Sequence, residues 1–181
     1  MNKKSLIGIL ATLLIPASFA CTTIVVGKDA SSTGQIMFGR NSDTKSPARA
    51  KHMKIYPATA NSARFIALPY YDTESQDGML QVAMNQYGVA ISATETITSN
   101  KTALQFDPFI ESGLGEFDLV KPIISQAKTA SQAVDILGGI ITSRGVSEGF
   151  GVVLADKNEA WYLETGSGHH WAAVRIPDDA Y

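Results

Sequence analysis

Apolar and β-branched residues recur in short runs between turn-forming residues from position 21 onward. Residues 21–26 and 35–39 flank a turn-like stretch at 27–34, which predicts an antiparallel hairpin. The second strand leads into the polar segment Arg40-Asn41-Ser42-Asp43, which a simple register places near the start of the first strand. We therefore expect Cys21 and this polar segment to be neighbours.

The same pattern predicts further strands. Residues 79–84 and 89–93 form a second hairpin signal around Asn85-Gln86-Tyr87-Gly88, because Asn and Gly tolerate the backbone of tight turns. The stretch between the two hairpins is interpreted as a polar, proline-bearing connection, and residues 96–115 as a loop. Three more strands are predicted near the end of the chain, at 149–155, 160–164 and 169–175.

Two helices are predicted between these groups of strands. Residues 118–127 place Pro122 near the first helical turn, where a missing N–H costs little. Residues 129–141 carry an apolar stripe suited to packing on a sheet, and they begin with Thr129-Ala130-Ser131-Gln132, which matches a capping box. Strands, then helices, then strands predict an α+β domain built in layers.

The first twenty residues have the pattern of an export signal. Lys3 and Lys4 are followed by an apolar core at 6–15 and by the small-x-small sequence Ser18-Phe19-Ala20. This segment is short for a membrane span, and an uncleaved anchor leaves the small-x-small ending unexplained. We expect cleavage after Ala20, and therefore a secreted or periplasmic protein.

Charge and cysteine content narrow the possible functions. The chain has 15 Lys and Arg against 17 Asp and Glu, a net charge of −2, and loss of the signal would remove two lysines. An acidic chain is a poor match for nucleic acid or for an anionic membrane surface. The sequence has one cysteine, so it cannot form an intrachain disulfide. That cysteine, Cys21, directly follows the predicted cleavage point.

An N-terminal cysteine carries a nucleophile and a base on one residue. A thiolate attacks acyl carbon well but needs a base to take its proton. A free α-amine has a reference pKa of about 7.7 to 8.0, so near neutral pH part of it is unprotonated and accepts a proton. In a precursor the same nitrogen is an amide and cannot do so, which would couple activity to cleavage.

Three other polar residues are candidates for the same site. Arg40 and Asp43 would favour the thiolate and its ammonium partner by charge complementarity, or they form a surface ion pair at a turn. The amide of Asn85 would donate to the oxyanion of a tetrahedral intermediate, or it only shapes its turn. Adjacent His169 and His170 point to opposite faces of a strand, so we interpret both as structural and expect no shared metal.

Several of these motifs together resemble the dipeptidase A family of cysteine peptidases. They are Cys21-Thr22-Thr23-Ile24-Val25-Val26-Gly27, Phe38-Gly39-Arg40-Asn41-Ser42-Asp43, Met84-Asn85-Gln86-Tyr87-Gly88-Val89, Trp161-Tyr162-Leu163-Glu164-Thr165 and Gly168-His169-His170-Trp171. The family belongs to the N-terminal nucleophile hydrolases, with penicillin V acylase and bile salt hydrolase.

The resemblance implies a four-layer αββα sandwich and cleavage of dipeptides through an acyl-enzyme, without a metal or organic cofactor. It implies that Cys21 is the nucleophile, that Arg40 and Asp43 flank it, and that Asn85 contributes to an oxyanion hole. Family members are much longer than this chain. Residues 21–181 are therefore expected to be the N-terminal part of the hydrolase domain, cut short at its C-terminal side.

Two alternatives remain beside a dipeptidase that acts on small peptides. A related acylase would use the same nucleophile on a penicillin V or bile-salt type of amide. A lipid-anchored binding protein would use Cys21 only for attachment, with its amine acylated and its sulfur bonded to lipid. Lipobox signals usually carry Leu three residues before the cysteine and a small residue two before, whereas Ser18 and Phe19 occupy those positions here.

Intact-mass analysis of the mature protein separates these fates of Cys21. We expect a mass that corresponds to cleavage after Ala20 and an unmodified N-terminal cysteine, because the residues at 18 and 19 suit a signal peptidase better than lipid attachment. An added diacylglycerol mass would contradict this prediction.

Overall fold

The computed structural model describes residues 21–42, 52–69, 80–95 and 97–181. The predicted signal segment at 1–20 and the predicted site residue Asp43 lie outside these ranges. The described residues form two β-sheets and three helices, which confirms the prediction of an α+β fold.

The smaller sheet is the predicted N-terminal hairpin. Strand β1 (Thr22–Val26) pairs antiparallel with β2 (Met37–Asn41), and Thr23 lies opposite Arg40. The turn between the strands contains Gly34, whose φ of 68° is a conformation that glycine adopts without steric cost.

The larger sheet has seven strands, each antiparallel to its neighbour and arranged in chain order. Its strands are β3 (Lys54–Tyr56), β4 (Phe65–Pro69), β5 (Leu80–Asn85), β6 (Ala90–Thr94), β7 (Gly151–Ala155), β8 (Ala160–Thr165) and β9 (Trp171–Arg175). The last five correspond to strands expected from the sequence. The chain leaves the sheet after β6, forms all three helices and returns at β7.

Two strands and one helix depart from the expectations. Strands β3 and β4 lie where the sequence was interpreted as a polar connection, and that interpretation is wrong. They extend the sheet because Phe65 is buried and its ring stacks on Tyr56 with 4.5 Å between ring centroids. Helix α1 (Lys101–Phe106) replaces part of the expected loop, and Asn100 caps it by accepting from the backbone of Thr102 and Ala103.

The two predicted helices exist with different lengths. Helix α2 (Val120–Ile124) is shorter than the predicted 118–127, and α3 (Ala130–Arg144) is longer than the predicted 129–141. The predicted N-cap of α3 is present, since Thr129 Oγ1 accepts from the Gln132 N–H at 3.1 Å, but the Gln132 side chain accepts from the Lys128 N–H rather than from Thr129 as in a full capping box. None of the helices in the described ranges is long and apolar enough to cross a membrane.

Helices α2 and α3 cover one face of the larger sheet and create the core. Helix α2 packs on β5 and β6, while α3 packs on β7, β8 and β9. Apolar side chains from the strands and the helices form one buried cluster, which includes Phe65, Ala83, Ile91, Leu154 and Leu163 from the sheet and Ile123, Ile124, Leu137 and Ile141 from the helices. Burial of this apolar area is the main stabilising term of the layer.

The opposite face of the larger sheet is apolar and only partly covered. The strand register aligns Ile55, Ile66, Met84 and Ala90 in one row across four strands. The first three are 72%, 40% and 48% exposed. A cleft of about 770 Å³ separates this face from Met37 and Phe38 of β2, at the hairpin end remote from Cys21.

Contacts at both ends hold the hairpin to the rest of the chain. At one end the Gln81 side chain donates to Ser42 Oγ at 3.2 Å. At the other, the N–H groups of Gly27 and Asp29 donate to the carbonyls of Ala180 and Asp178, at 2.8 and 2.7 Å. These contacts fix where β1 and β2 place their side chains.

Substitution of Gly138 tests the packing of α3 on the sheet. A Cβ at this buried position would overlap the Trp171 ring, whereas a Cβ at exposed Gly139 would meet no atom within 4 Å. We expect Gly138→Ala to lower the free energy of unfolding by about 1–3 kcal/mol. Gly139→Ala, the matched control, should raise it by about 0.5–1 kcal/mol. Urea unfolding measures both, and equal effects would contradict the packing.

Candidate active site

Cys21 lies immediately before β1, and its sulfur faces an arginine of the neighbouring strand. The side chain is partly buried, and Sγ accepts a hydrogen bond from Arg40 Nη2 at 3.1 Å. The hairpin register causes this proximity, because Arg40 stands opposite Thr23, two residues after the cysteine. The structure thus brings two of the predicted site residues together.

Arg40 has a second, ionic partner. Its Nη2 donates to Glu116 Oε1 at 2.8 Å, and the two side chains are 8% and 4% exposed. Hydrogen bonds between ionised groups in such surroundings are stronger than neutral ones. Glu116 was not predicted from the sequence, because it lies 76 residues from Arg40 in a segment without strand or helix periodicity.

The carboxyl of Glu116 has unusual acidity. Its pKa is raised to about 7, mainly by burial; Arg40 acts in the opposite direction, and nearby Glu95 and Glu148 add smaller contributions that raise it. The pKa of Glu95 is also raised, mainly by burial and then by Glu148. The site therefore holds a carboxyl group that changes charge near neutral pH.

The other predicted residues of the polar segment are placed differently. Ser42 contacts Gln81 on the larger sheet, as described above. Asp43 lies outside the described residues, so its role beside Cys21 stays a prediction.

Asn85 is buried and holds a turn against a helix end. Its Oδ1 accepts from the N–H groups of Tyr87 and Val89 at 3.0 and 3.1 Å. Its Nδ2 donates to the carbonyls of Ile124 and Ala127 at 2.9 and 2.7 Å. Both amide hydrogens are therefore engaged, and donation to an oxyanion would require one of these bonds to break. The oxyanion role stays a prediction, while the geometry favours the turn role.

The two histidines lie before β9 and both rings contact one carboxylate, so the expectation that they point to opposite faces of a strand is wrong. The Nδ1 atoms of His169 and His170 lie 2.7 and 2.8 Å from the two oxygens of Asp107, and Ser167 Oγ donates to the same group at 2.7 Å. These hydrogen bonds, that of the His169 side chain first, hold the pKa of Asp107 well below its usual value. The cluster joins the end of α1 to the β8–β9 connection. Within the described ranges, no group of three His, Cys, Asp or Glu residues is suited to a metal.

The chemistry available at Cys21 follows from these contacts. An adjacent cation favours the thiolate form of a cysteine, and a partly exposed sulfur is accessible to a reagent. An arginine side chain has no free lone pair to accept the thiol proton. A base must therefore come from another group near the sulfur.

Comparison with known proteins gives a consistent set of relatives. The model of Peptidase family C69 matches residues 20–181. The chain is 37% identical to a protein named "Probable dipeptidase" from Salmonella dublin, covering 99% of this chain and 46% of that protein. It is 39% identical to "Probable dipeptidase B" of Lactococcus lactis subsp. lactis (strain IL1403), covering 90% of this chain and 38% of that protein. The chain spans less than half the length of these two relatives.

Substitution of Asn85 distinguishes its two roles. We expect Asn85→Ala to lower the free energy of unfolding by roughly 2–4 kcal/mol, because it leaves buried backbone groups without partners. Urea unfolding measures the loss. Gln86, the exposed neighbour, is the control; its side-chain oxygen accepts a hydrogen bond from the Arg64 N–H. Gln86→Ala should lower the free energy of unfolding by less than about 1 kcal/mol. Unchanged stability of Asn85→Ala together with lost hydrolytic activity would support the oxyanion role.

Proposed function

Because the chain belongs to Peptidase family C69, we propose that it is part of a cysteine peptidase that hydrolyses dipeptides, with Cys21 as its N-terminal nucleophile. The family predicted from the sequence motifs is confirmed. The observation that carries the mechanism is the hydrogen bond from Arg40 Nη2 to Cys21 Sγ. This contact supports Cys21 as the nucleophile, because it places a cation beside the sulfur in a protein whose relatives are named dipeptidases.

Proton transfer in the proposed reaction uses the amine of Cys21 itself. The free amine takes the thiol proton, and the sulfur attacks the carbonyl carbon of the peptide bond. The tetrahedral intermediate then expels the amine of the second residue, which receives the proton from the Cys21 ammonium. A thioester remains on the sulfur. Water, with its proton taken by the same amine, attacks this thioester and releases the first amino acid and the thiol.

Export processing supplies that amine. Cleavage after Ala20 would convert the backbone amide of Cys21 into an α-amine. The family match begins at residue 20, so residues 1–19, most of the predicted signal, lie outside it. This supports a secreted or periplasmic enzyme whose activity begins with removal of the signal segment.

The uncovered apolar face supports the four-layer αββα sandwich. The described residues supply one helix layer, the seven-stranded sheet and two strands that lie against its other face. Exposed Ile55, Ile66 and Met84 would become buried if the second sheet were extended beside β1 and β2. A second helix layer would complete the sandwich.

Cys21→Ala is the direct test of the proposed function. In the intact gene product it should abolish hydrolysis of a dipeptide panel and leave the unfolding midpoint unchanged, since the sulfur is the attacking atom. Amino acid release, followed by chromatography, measures the reaction. Retained turnover would remove the mechanism, and cleavage of a penicillin or bile-salt amide in place of dipeptides would support an acylase.

A matched control keeps the cysteine and blocks its amine. A version that retains Ala20 has an amide at Cys21, so it should lose about 10²–10⁴-fold in rate through loss of the base. Full activity of this version would show that another group accepts the proton.

A further inference from the structure

We propose that Glu116 is a positioning residue of this site, whose carboxylate holds the Arg40 guanidinium against the Cys21 sulfur and offsets the charge that Arg40 presents to it. The expected effect on dipeptide hydrolysis rests on the proposed function. The expected effect on the chemical reactivity of the Cys21 thiol does not, because it is measured without a substrate.

One nitrogen links the three groups. Arg40 Nη2 donates to Cys21 Sγ at 3.1 Å and to Glu116 Oε1 at 2.8 Å. A long arginine side chain has many rotamers, so a second contact at the same nitrogen restricts where the guanidinium lies. Because the side chains of Arg40 and Glu116 are both buried, loss of the carboxylate would leave a buried cation without its ionic partner.

Hydrogen bonds fix the backbone segment that carries Glu116. Its backbone N–H donates to Glu148 Oε1 at 2.7 Å. Leu114, two residues earlier, donates its N–H to the Gly145 carbonyl at 2.9 Å and accepts from the Ser147 N–H at 3.1 Å. The segment that carries Glu116 is thus fixed to the connection between α3 and β7. A fixed carboxylate is what positioning of Arg40 requires.

The charge of Glu116 acts on the sulfur through Arg40. The carboxylate lies within about 6 Å of Sγ, since both contact the same nitrogen, and at that distance charges influence one another in a partly buried site. The charged or titratable groups around it are Arg40 on β2, Glu95 after β6, Glu148 before β7 and Cys21 itself.

The sign of the effect follows from the acidity of Glu116. Burial raises its pKa to about 7, so below this pH the carboxyl is neutral and Arg40 presents its full charge to the sulfur. Above it the carboxylate offsets that charge. Glu116 therefore weakens the electrostatic effect of Arg40 on the sulfur as the pH rises through this range, and loss of the Glu116 charge strengthens that effect.

Three variants of the full-length protein, each processed so that its N-terminal residue is Cys21, test the proposed role of Glu116. Glu116→Gln keeps an oxygen that accepts from Arg40 but removes the charge, whereas Glu116→Ala removes both. Glu111→Gln changes an exposed glutamate earlier in the same loop and is the matched control. Iodoacetamide alkylation of Cys21, followed by peptide mass mapping, reports on the sulfur without any substrate.

We expect Glu116→Gln to be alkylated about three- to tenfold faster than the wild type at pH 7.5 and at the same rate at pH 6, where Glu116 is already neutral. Dipeptide hydrolysis should show a kcat about 10²-fold lower for Glu116→Ala with little change in KM, and rescue of most of this loss by Glu116→Gln. Glu111→Gln should match the wild type throughout.

Identical alkylation of Glu116→Gln and the wild type from pH 6 to 8 would overturn the proposal, as would a wild-type kcat for Glu116→Ala. If Glu116→Ala does not fold, the alkylation profile of Glu116→Gln decides alone. If the wild type hydrolyses no dipeptide, the proposed function fails, while the alkylation comparison still tests the role of Glu116.

Discussion

The register of the β1–β2 hairpin is the constraint on which the site depends. Because side chains alternate along a strand, a shift by one residue would turn Arg40 away from Cys21 toward the other face of the hairpin. A two-stranded sheet has little stability of its own, so this register needs support from the rest of the chain. The larger sheet supplies it through Gln81, and the C-terminal segment through the carbonyls of Asp178 and Ala180.

The same hairpin gives rigid support to a nucleophile that lies at a chain terminus. A nucleophile at a chain terminus has few covalent restraints, and chain termini are usually poorly ordered unless they are tied down. Here the terminal residue of the proposed mature enzyme is followed directly by a paired strand, and its sulfur contacts a buried arginine. Glu116, in a third segment of the chain, contacts that arginine as well. Three segments distant in sequence thus determine the position of one sulfur atom.

Local signals were predictable from the sequence, and contacts between distant segments were not. The hairpin around Gly34 and the helix N-cap at Thr129 depend on residues within a few positions of each other, and both are present. Strands β3 and β4 lack this local signal, because β3 has three residues and is recognisable only through its pairing with β4. Glu116 is the clearest case, since its importance arises from Arg40, which no pattern around residue 116 indicates. The motif around Asn85 was recognised, but its hydrogen bonds to a helix end became visible only in the fold.

Gly27 shows how backbone packing can restrict a position remote from chemistry. Its α-carbon lies so close to the carbonyls of Pro177 and Asp178 that any side chain would occupy the space of those oxygens. Its N–H also donates to the Ala180 carbonyl, so the two backbone segments lie too close together for a larger residue at position 27. Variation at position 27 would separate the C-terminal segment from the hairpin and loosen the strand that begins beside the sulfur. The identity of this residue is thus set by the width of a gap between two backbones.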